Sequence, residues 1–226
     1  MDAWHAVCGD VVRGGPFTGM RYPPRWGDAC APAKLLGSYE EELYQALAGF
    51  VRRAPTQVVV VGSAEGYFTV GLALSLPGVQ VEAFDTDLVA RWNTRRLARL
   101  NEVKVRVHGA ATPESLSRAL TGTHTLLVCD CEGYEDVLLD PAHVPELLHC
   151  DLLVELHETN DASMGERIAA RFPGATAAFI RTRDREPGSY RALSAVTESM
   201  RAYVVREFRY AQRWMVLARA GWPRDQ

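Results

Sequence analysis

Short apolar runs alternate with amphipathic stretches along most of the chain after Pro55. The apolar runs predict buried strands at residues 57–61, 79–84, 103–108, 125–129 and 151–156. The amphipathic stretches have helical spacing and lie at residues 68–76, 88–100, 113–120 and 163–172. Strands that alternate with helices of this length predict βαβ units, so we expect an α/β domain with a doubly wound, mainly parallel sheet.

Three further strand candidates follow toward the C-terminus, at residues 175–181, 203–208 and 214–218. The last two are close together in the chain, which predicts an antiparallel hairpin at one edge of the sheet, a common addition to parallel sheets. The sequence therefore predicts a Rossmann-like fold with a C-terminal antiparallel hairpin. A fold of this kind does not by itself indicate any particular chemistry.

The first part of the chain differs from the rest, because glycine and proline pairs interrupt it repeatedly. Residues 1–37 are therefore predicted to be an irregular lead-in or cap, and residues 38–226 to form a single domain. Helical spacing begins at Ser38. We expect Ser38 to cap a helix that carries Glu40 and Glu41 near its positive N-terminal end.

Composition and charge narrow the class of protein. The chain has 226 residues and a net charge of −3, without the basic block that a nucleic-acid partner requires. It has no run of about 18 apolar residues, and its first residues lack the features of a signal peptide. Five scattered cysteines are typical of reduced thiols. We expect a cytoplasmic protein with a small-molecule partner, no nucleic-acid or membrane partner, and either a monomeric or a homo-oligomeric state.

The candidate ligand-binding residues follow the strands, because ligands of open α/β sheets bind beyond the carboxyl ends of the strands. The first strand is followed by GSAEGY at residues 62–67. The GxxxG spacing of Gly62 and Gly66 favours a loop around an amino-acid and ribose portion over the GxGxxG loop that binds a pyrophosphate. The alternative is a tight strand-to-helix connection without a ligand.

An acid ends the second strand, about 20 residues after the glycine loop. Asp85 is placed to accept hydrogen bonds from both hydroxyls of a ribose. The alternative is that Asp85 or Asp87 only caps the next helix. The third strand is followed by Ala110 and Ala111, whose small side chains leave room for a flat base. Together these positions predict a nucleoside site.

Four segments of the sequence resemble the FkbM-type methyltransferases. They are VVGSAEGYFT at residues 60–69, AFD at 83–85, CDCEGYE at 129–135 and VELH at 154–157. The third segment carries a D-x-E-G-x-E signature, which is the most specific part of the resemblance. The resemblance implies a class I methyltransferase fold and transfer of a methyl group from S-adenosyl-L-methionine (SAM), usually to oxygen and often in sugar, lipid or secondary-metabolite pathways.

The resemblance also implies a set of cofactor-binding residues, namely Tyr39, Glu40, Gly62, Ser63, Gly66, Tyr67, Asp85, Ala110, Ala111 and Asp130. Among them, Asp85 would hold the ribose and Asp130 would face the sulfonium. Tyr39 and Glu40 would close over the cofactor from the leading helix. Family members usually carry an acid two residues before the first glycine, where this chain has Val60. Either Glu65 or Glu40 then supplies that charge, or cofactor binding is altered.

Asp130 and His157 are the candidate catalytic residues, since methyl transfer to a hydroxyl needs alignment and is helped by a base. His157 lies two residues after Glu155, so both side chains point to the same side of the sheet. A histidine held by a neighbouring loop is the alternative to a base. Asp130, Glu155 and His157, with Glu158, would also suit Mg²⁺ or Mn²⁺, unless they form a solvated rim.

Two other functions compete with methyl transfer. A non-catalytic nucleoside-binding or SAM-binding regulatory protein would keep the fold without turnover, and Val60 favours this alternative. An NAD-dependent oxidoreductase is disfavoured by the glycine spacing.

Glu132 is expected to point into the pocket and Glu135 toward helix or solvent. The charged segment 181–186 is expected to form either a mobile lid or a solvated loop.

Overall fold

The computed structural model describes residues 9–23, 28–158, 162–207 and 212–219, with Ala195 described in its backbone only. The strands are β1 Gln57–Val61, β2 Gln80–Phe84, β3 Arg106–His108, β4 Thr125–Cys129, β5 Cys150–Leu156, β6 Thr176–Arg181 and β7 Arg213–Ala218. They form one seven-stranded sheet in the order β3-β2-β1-β4-β5-β7-β6. The first five strands are parallel, and β7 is antiparallel to β5 and β6. The predicted α/β, mainly parallel, Rossmann-like fold is confirmed.

The helices of the described residues are α1 Ala31–Leu36, α2 Tyr44–Arg52, α3 Tyr67–Ser75, α4 Leu88–Leu100, α5 Pro113–Ala119, α6 Glu135–Leu138, α7 Met164–Ala170 and α8 Glu198–Val204. Short 3₁₀ turns lie at Glu41–Leu43, Pro145–His149, Pro187–Ser189 and Arg191–Ala195. Local capping fixes where two helices begin. The Asp87 carboxylate accepts hydrogen bonds from the first amides of α4, and Thr112 forms a reciprocal capping box with Ser115 at α5.

The strand order reverses between β1 and β4, which places a crevice at the carboxyl ends of these two strands. Strand register aligns the three strands that border this crevice. Val61 pairs with Phe84 of β2 and with Cys129 of β4, so the residues that follow all three strands emerge at the same level. The sheet therefore brings Gly62, Asp85 and Asp130 together.

The antiparallel pair at the C-terminal side is made of different residues from those predicted. Strand β7 pairs with residues 176–181, whereas Tyr203 and Val204 belong to α8, and Phe208 lies outside the described residues. The hydroxyl of Thr197 accepts a hydrogen bond from the amide of Met200, and Glu198 lies in the first turn of α8. These capping features favour a helix over the strand that the apolar residues alone suggested.

The lead-in is more regular than predicted. Residues 31–36 form α1, with Pro32 in the first turn and Gly37 at a φ of 82° at its C-terminal end. The helix predicted from Ser38 begins instead at Tyr44. The Ser38 hydroxyl is buried and donates to the carbonyl of Ala33, so it does not cap that helix.

The core lies on both faces of the sheet. Val58 and Val60 of β1 belong to one hydrophobic cluster, and Val59 and Val61 belong to the other, as expected for a strand buried on two sides. Lead-in side chains such as Phe17 join the first cluster. Within the described ranges, no helix combines the length and the apolar character needed to cross a bilayer.

Candidate active site

A cleft of about 470 Å³ opens at the carboxyl ends of β1, β2 and β4, a volume in the usual range for small-molecule sites. Five of the predicted site residues line it, namely Gly62, Asp85, Ala110, Ala111 and Asp130. Each comes from a different loop of the crevice except the two alanines, which follow β3. Parallel strands in register therefore assemble one site from residues far apart in the sequence.

The glycine loop is shaped by contacts with its neighbours. Gly62 has a φ of 80°, and a Cβ at this position would lie 1.5 Å from the carbonyl oxygen of Asp130. Gly66 has a φ of 100°, and its Cβ would lie 3.0 Å from the Cα of Thr94 in α4. The hydroxyl of Ser63 is buried and lies 3.3 Å from that of Thr94. Gly62 thus borders the cleft, while Ser63 and Gly66 pack the loop against α4.

The sequence left open whether Asp85 faces a ligand or whether Asp85 or Asp87 only caps the next helix, and in the structure the two residues have different contacts. One carboxylate oxygen of Asp85 accepts a 2.8 Å hydrogen bond from the amide of Ala64, and the other accepts a 2.8 Å bond from the amide of Asp87. Asp87 is the cap of α4. Each Asp85 oxygen keeps a second lone pair, so the carboxylate can brace the glycine loop and still accept a bond from a ligand in the cleft.

Tyr39, Glu40 and Tyr67 lie outside the lining of the cleft. The ring of Tyr67 is 3% exposed and packs edge to face against Phe17 and Tyr39, with centroid distances of 5.2 and 5.6 Å. Glu40 is buried at a φ of 50°, and its amide donates to a carboxylate oxygen of Glu207. Both Tyr39 and Glu40 precede the 3₁₀ turn at Glu41–Leu43, so neither belongs to the leading helix.

A buried ion cluster joins α1 to the glycine loop, and the sequence patterns did not reveal it. The Lys34 ammonium lies 2.8 Å from a carboxylate oxygen of Asp28 and 2.5 Å from one of Glu65. The Tyr22 hydroxyl lies within hydrogen-bond distance of both acids and can donate to either, and the Tyr39 ring lies 4.7 Å from the ammonium. Burial alone would lower the pKa of Lys34, but the two carboxylates raise it above its usual value. Glu65 therefore pairs with Lys34, which it shares with Asp28.

Asp130, Glu155 and His157 meet at the adjoining ends of β4 and β5, as the sequence predicted. Each offers one possible ligand atom, and these atoms all lie within 4.8 Å of one another. The Nε2 atom of His157 lies 3.6 Å from Asp130 Oδ1 and 3.4 Å from a carboxylate oxygen of Glu132. Glu158 instead pairs with Arg213 at 2.6 Å.

Glu135 is the site residue that sequence reasoning missed, since it was expected at helix or solvent. Its side chain is 0% exposed, and Oε1 lies 2.8 Å from Nδ1 of His157. The same oxygen accepts hydrogen bonds from the amides of Cys131 and Gly133. A signal was present, because Glu135 is the last acid of the D-x-E-G-x-E segment, but its partner lies 22 residues away.

These contacts shift three pKa values. The hydrogen bond from Glu135 raises the pKa of His157 above 6.5, although burial of the ring opposes this, and the charges of Asp130 and Glu132 add to the increase. Burial raises the pKa of Asp130, while the hydrogen bond with Glu155 partly offsets it. Burial would also raise the pKa of Glu135, but its hydrogen bond with His157 lowers the pKa overall. Four carboxyl groups around one imidazole make this end of the cleft attractive to cations.

Several O-methyltransferases of known structure share this architecture. TomG from Streptomyces achromogenes, in complex with SAM, has a TM-score of 0.55 and 12% identity over 89% of this chain and 92% of that chain. A putative O-methyltransferase from Klebsiella pneumoniae has a TM-score of 0.51 and 16% identity over 78% of this chain and 79% of that chain. The O-methyltransferase from Bacillus cereus, in complex with S-adenosylhomocysteine (SAH), has a TM-score of 0.50 and 16% identity over 80% and 81%.

The chain has the class I methyltransferase fold. Identities of 12–16% extend this likeness to the fold alone. The sequence matches no protein-family model and no curated protein. The resemblance to the FkbM-type group therefore stays a prediction. What this class I methyltransferase fold contributes is the placement of the cleft at the switch in strand order, where the candidate residues converge.

Proposed function

We propose that this protein is a SAM-dependent methyltransferase that methylates a hydroxyl group of a small molecule. The observation that carries the proposal is the cleft at the strand ends of a class I methyltransferase fold, bordered by Gly62, Asp85 and Asp130. Solved relatives of the fold that are named O-methyltransferases support the assignment to oxygen. A sugar, lipid or secondary-metabolite acceptor belongs to the same proposal, through the FkbM-type resemblance. A cytoplasmic location belongs to it as well, through the scattered cysteines.

The residues of the cleft suit an adenosyl sulfonium. Asp85 has lone pairs for the ribose hydroxyls, and Ala110 and Ala111 leave room beside them for a flat base. Gly62 keeps the wall near β1 free of a side chain, and Asp130, which also lines the cleft, would present a carboxylate to the positive sulfur of a bound cofactor. Ser63, Gly66 and Tyr67 would act behind this wall by holding the glycine loop. SAM, when bound, supplies an electrophilic methyl group.

The protein's own contribution is to align the acceptor, exclude water and remove a proton. In the proposed reaction, Nε2 of His157 takes the proton of the acceptor hydroxyl as the oxygen attacks. Glu135 holds the opposite nitrogen at 2.8 Å, which fixes the ring and favours the tautomer with hydrogen on Nδ1. The carboxylate also stabilises the imidazolium that forms. Tyr39 and Glu40 would support the cleft from the segment that precedes the 3₁₀ turn at Glu41–Leu43.

Binding of a divalent cation, Mg²⁺ or Mn²⁺, is a second role that the same cluster supports. Asp130, Glu155 and His157 offer ligand atoms within 4.8 Å of one another. A histidine that ligates a metal normally donates a hydrogen bond from its other ring nitrogen to a carboxylate, as Nδ1 of His157 does to Glu135. A cation held there would orient the acceptor oxygen and lower its pKa. It would use the same Nε2 atom as the proton transfer, so the two roles exclude each other.

A thermal-shift comparison tests the cofactor class. SAM and SAH should each raise the melting temperature of the protein, because a ligand that binds only the native state stabilises it. NAD should leave the melting temperature unchanged. Stabilisation by NAD alone would replace this proposal with an NAD-dependent oxidoreductase.

A transfer assay tests the chemistry. The protein would be incubated with methyl-labelled SAM and a panel of sugars, phenols and hydroxy acids, with and without EDTA. Loss of transfer in His157→Ala that EDTA does not reproduce supports the base, whereas loss with both supports the cation. Transfer that survives both changes would eliminate both mechanisms. SAM binding without transfer to any acceptor would favour a regulatory protein.

A further inference from the structure

Two cysteine thiols flank Asp130 and face each other. Cys129 ends β4 and Cys131 follows two residues later, so both side chains lie on the same side of an extended chain. Their sulfur atoms are 3.6 Å apart, and both thiols are free. Cys30 and Cys150 contact the backbone carbonyls of Glu207 and Glu146 instead. Among the described cysteines, only Cys129 and Cys131 form a thiol pair.

The two thiols differ in access. Cys129 is 1% exposed in the hydrophobic core, whereas Cys131 is half-buried and lines the cleft. A small oxidant that enters the cleft therefore reaches the sulfur of Cys131 first. The sulfur of Cys129 lies 3.6 Å from it, in the position of a resolving thiol.

We propose that Cys129 and Cys131 are an oxidisable dithiol whose disulfide closes the cofactor cleft to its ligand. The formation of the disulfide follows from the geometry of the pair, and the effect on ligand binding rests on the proposed function. The oxidant is a peroxide.

The steps balance with hydrogen peroxide as the oxidant. The sulfur of Cys131 attacks one peroxide oxygen, the O–O bond breaks, and a sulfenic acid and one water form. The sulfur of Cys129 then displaces the sulfenic oxygen as a second water. The S–S bond has replaced two S–H bonds, and the peroxide has taken up two electrons and two protons. A dithiol reductant reverses the change by thiol–disulfide exchange.

Closing the bond draws the side chain of Cys131, which lines the cleft, toward the end of β4. A disulfide has a sulfur–sulfur distance of about 2.05 Å, so the sulfurs must approach by roughly 1.5 Å. Asp130 lies inside the ring that closes, and its amide donates to the carbonyl of Val61 while its own carbonyl lies against Gly62. The amide of Cys131 donates to Glu135. The disulfide would therefore tie together the two residues that flank Asp130, in the segment whose amide binds Glu135.

The test uses the full chain, treated with hydrogen peroxide and compared with the reduced protein. Mass spectrometry should show a loss of two mass units in the peptide that carries both cysteines. Calorimetry with SAH should show affinity at least ~10-fold weaker in the oxidised protein, and dithiothreitol should restore it. Cys129→Ala, which cannot form the disulfide, should keep its SAH affinity after peroxide treatment without reduction. Cys150→Ala, a matched control in another buried strand, should respond as the wild type does.

Two results would overturn the proposal: both thiols stay reduced while other cysteines oxidise, or the disulfide forms and the affinity for SAH is unchanged. If Cys129→Ala does not fold, mass mapping of Cys131→Ser decides whether the disulfide needs this pair. A reduced protein that binds no SAH would instead sink the proposed function, since the mass measurement reports the disulfide independently of any ligand.

Discussion

At the scale of single residues, the contact between Glu135 and His157 controls the charge at the reacting end of the cleft. The carboxylate is buried and ion-pairs with the ring, which raises the pKa of His157 and lowers its own. A base must be neutral before it can take a proton. The contact therefore orients the ring and also moves the pH range in which the ring can act.

This contact predicts the pH profile of methyl transfer. The rate should rise with pH through the pKa of His157, so its rising limb should lie above pH 6.5. Glu135→Gln removes the charge that stabilises the imidazolium, so the limb should move to lower pH while kcat falls about 10-fold to 100-fold. Glu166→Gln, a control on α7 that pairs with Arg213, should leave the limb in place. An unmoved limb in Glu135→Gln would exclude His157 as the titrating base.

Asp85 and Asp87 offer a second matched pair, because they are neighbours with different contacts. Asp85→Ala should weaken SAH binding roughly 10-fold to 100-fold, as expected from losing hydrogen bonds to a charged group worth about 1.5–3 kcal/mol. Asp87→Ala should lower the free energy of unfolding by about 1 kcal/mol through the lost helix cap, with unchanged affinity. Calorimetry and urea unfolding measure the two effects. Equal losses of affinity in both variants would contradict the assignment of Asp85 to the ribose.

At the scale of elements, the loops after β1 and β4 touch through their backbones. Gly62 lies against the carbonyl of Asp130, and the amide of Asp130 donates to Val61 at 2.9 Å. The two loops therefore hold each other in place. Each carries a residue that borders the cleft, so a shift of either loop changes the shape of the site.

Two glycines with nearly the same φ separate this contact from the strain of a positive φ alone. Gly78 has a φ of 85° and has open space where a Cβ would lie, so Gly78→Ala should lose only about 1–2 kcal/mol of unfolding free energy. Gly62→Ala pays the same backbone strain and must also displace the loop after β4, so it should lose more than ~4 kcal/mol or fail to fold. Urea unfolding compares the two. Similar losses would show that the loops are not in firm contact.

The elements also show what the sequence could predict. Strand β4 and helix α4 lie where they were predicted, because their apolar patterns and the Asp87 cap are local signals. The predicted start at Ser38 was wrong although the helix exists at Tyr44–Arg52, because the Ser38 hydroxyl bonds to the carbonyl of Ala33 instead of capping it. The strand predicted at 203–208 was wrong, because the Thr197 cap begins a helix there.

The same distinction holds in the site. Asp85 and Asp130 could be found as strand-end residues of a parallel sheet. Glu135 and Lys34 could not be assigned, since their partners lie in other elements.

At the scale of the whole molecule, ion pairs join segments that lie far apart in the sequence. Lys34 bridges Asp28 and Glu65, which ties α1 to the glycine loop. Arg185 is 6% exposed in its side chain and pairs with Glu42 and Glu207. The segment predicted as a lid or a solvated loop is therefore anchored at this residue, and its guanidinium is already engaged by carboxylates.

The chain contains only two lysines, and they allow a matched test of the buried cluster. Lys34→Met leaves two mostly buried carboxylates without their cation, so it should lower the free energy of unfolding by about 3–5 kcal/mol. Lys104→Met changes an exposed side chain and should stay within about 0.5 kcal/mol of wild type. Guanidinium unfolding measures both. If the two variants are equally stable, the Lys34 cluster does not stabilise the contact between α1 and the glycine loop.

The position of β7 between β5 and β6 has a consequence for biosynthesis. Strand β5 pairs with β4 on one side, but its other neighbour comes from the end of the described chain. At a ribosomal rate of about 5–20 residues per second, roughly 60 residues separate the emergence of β5 from that of β7, an interval of several seconds. During this time a long apolar strand edge is exposed to other nascent chains. Newly made protein is therefore most prone to aggregate in the interval before β7 has emerged.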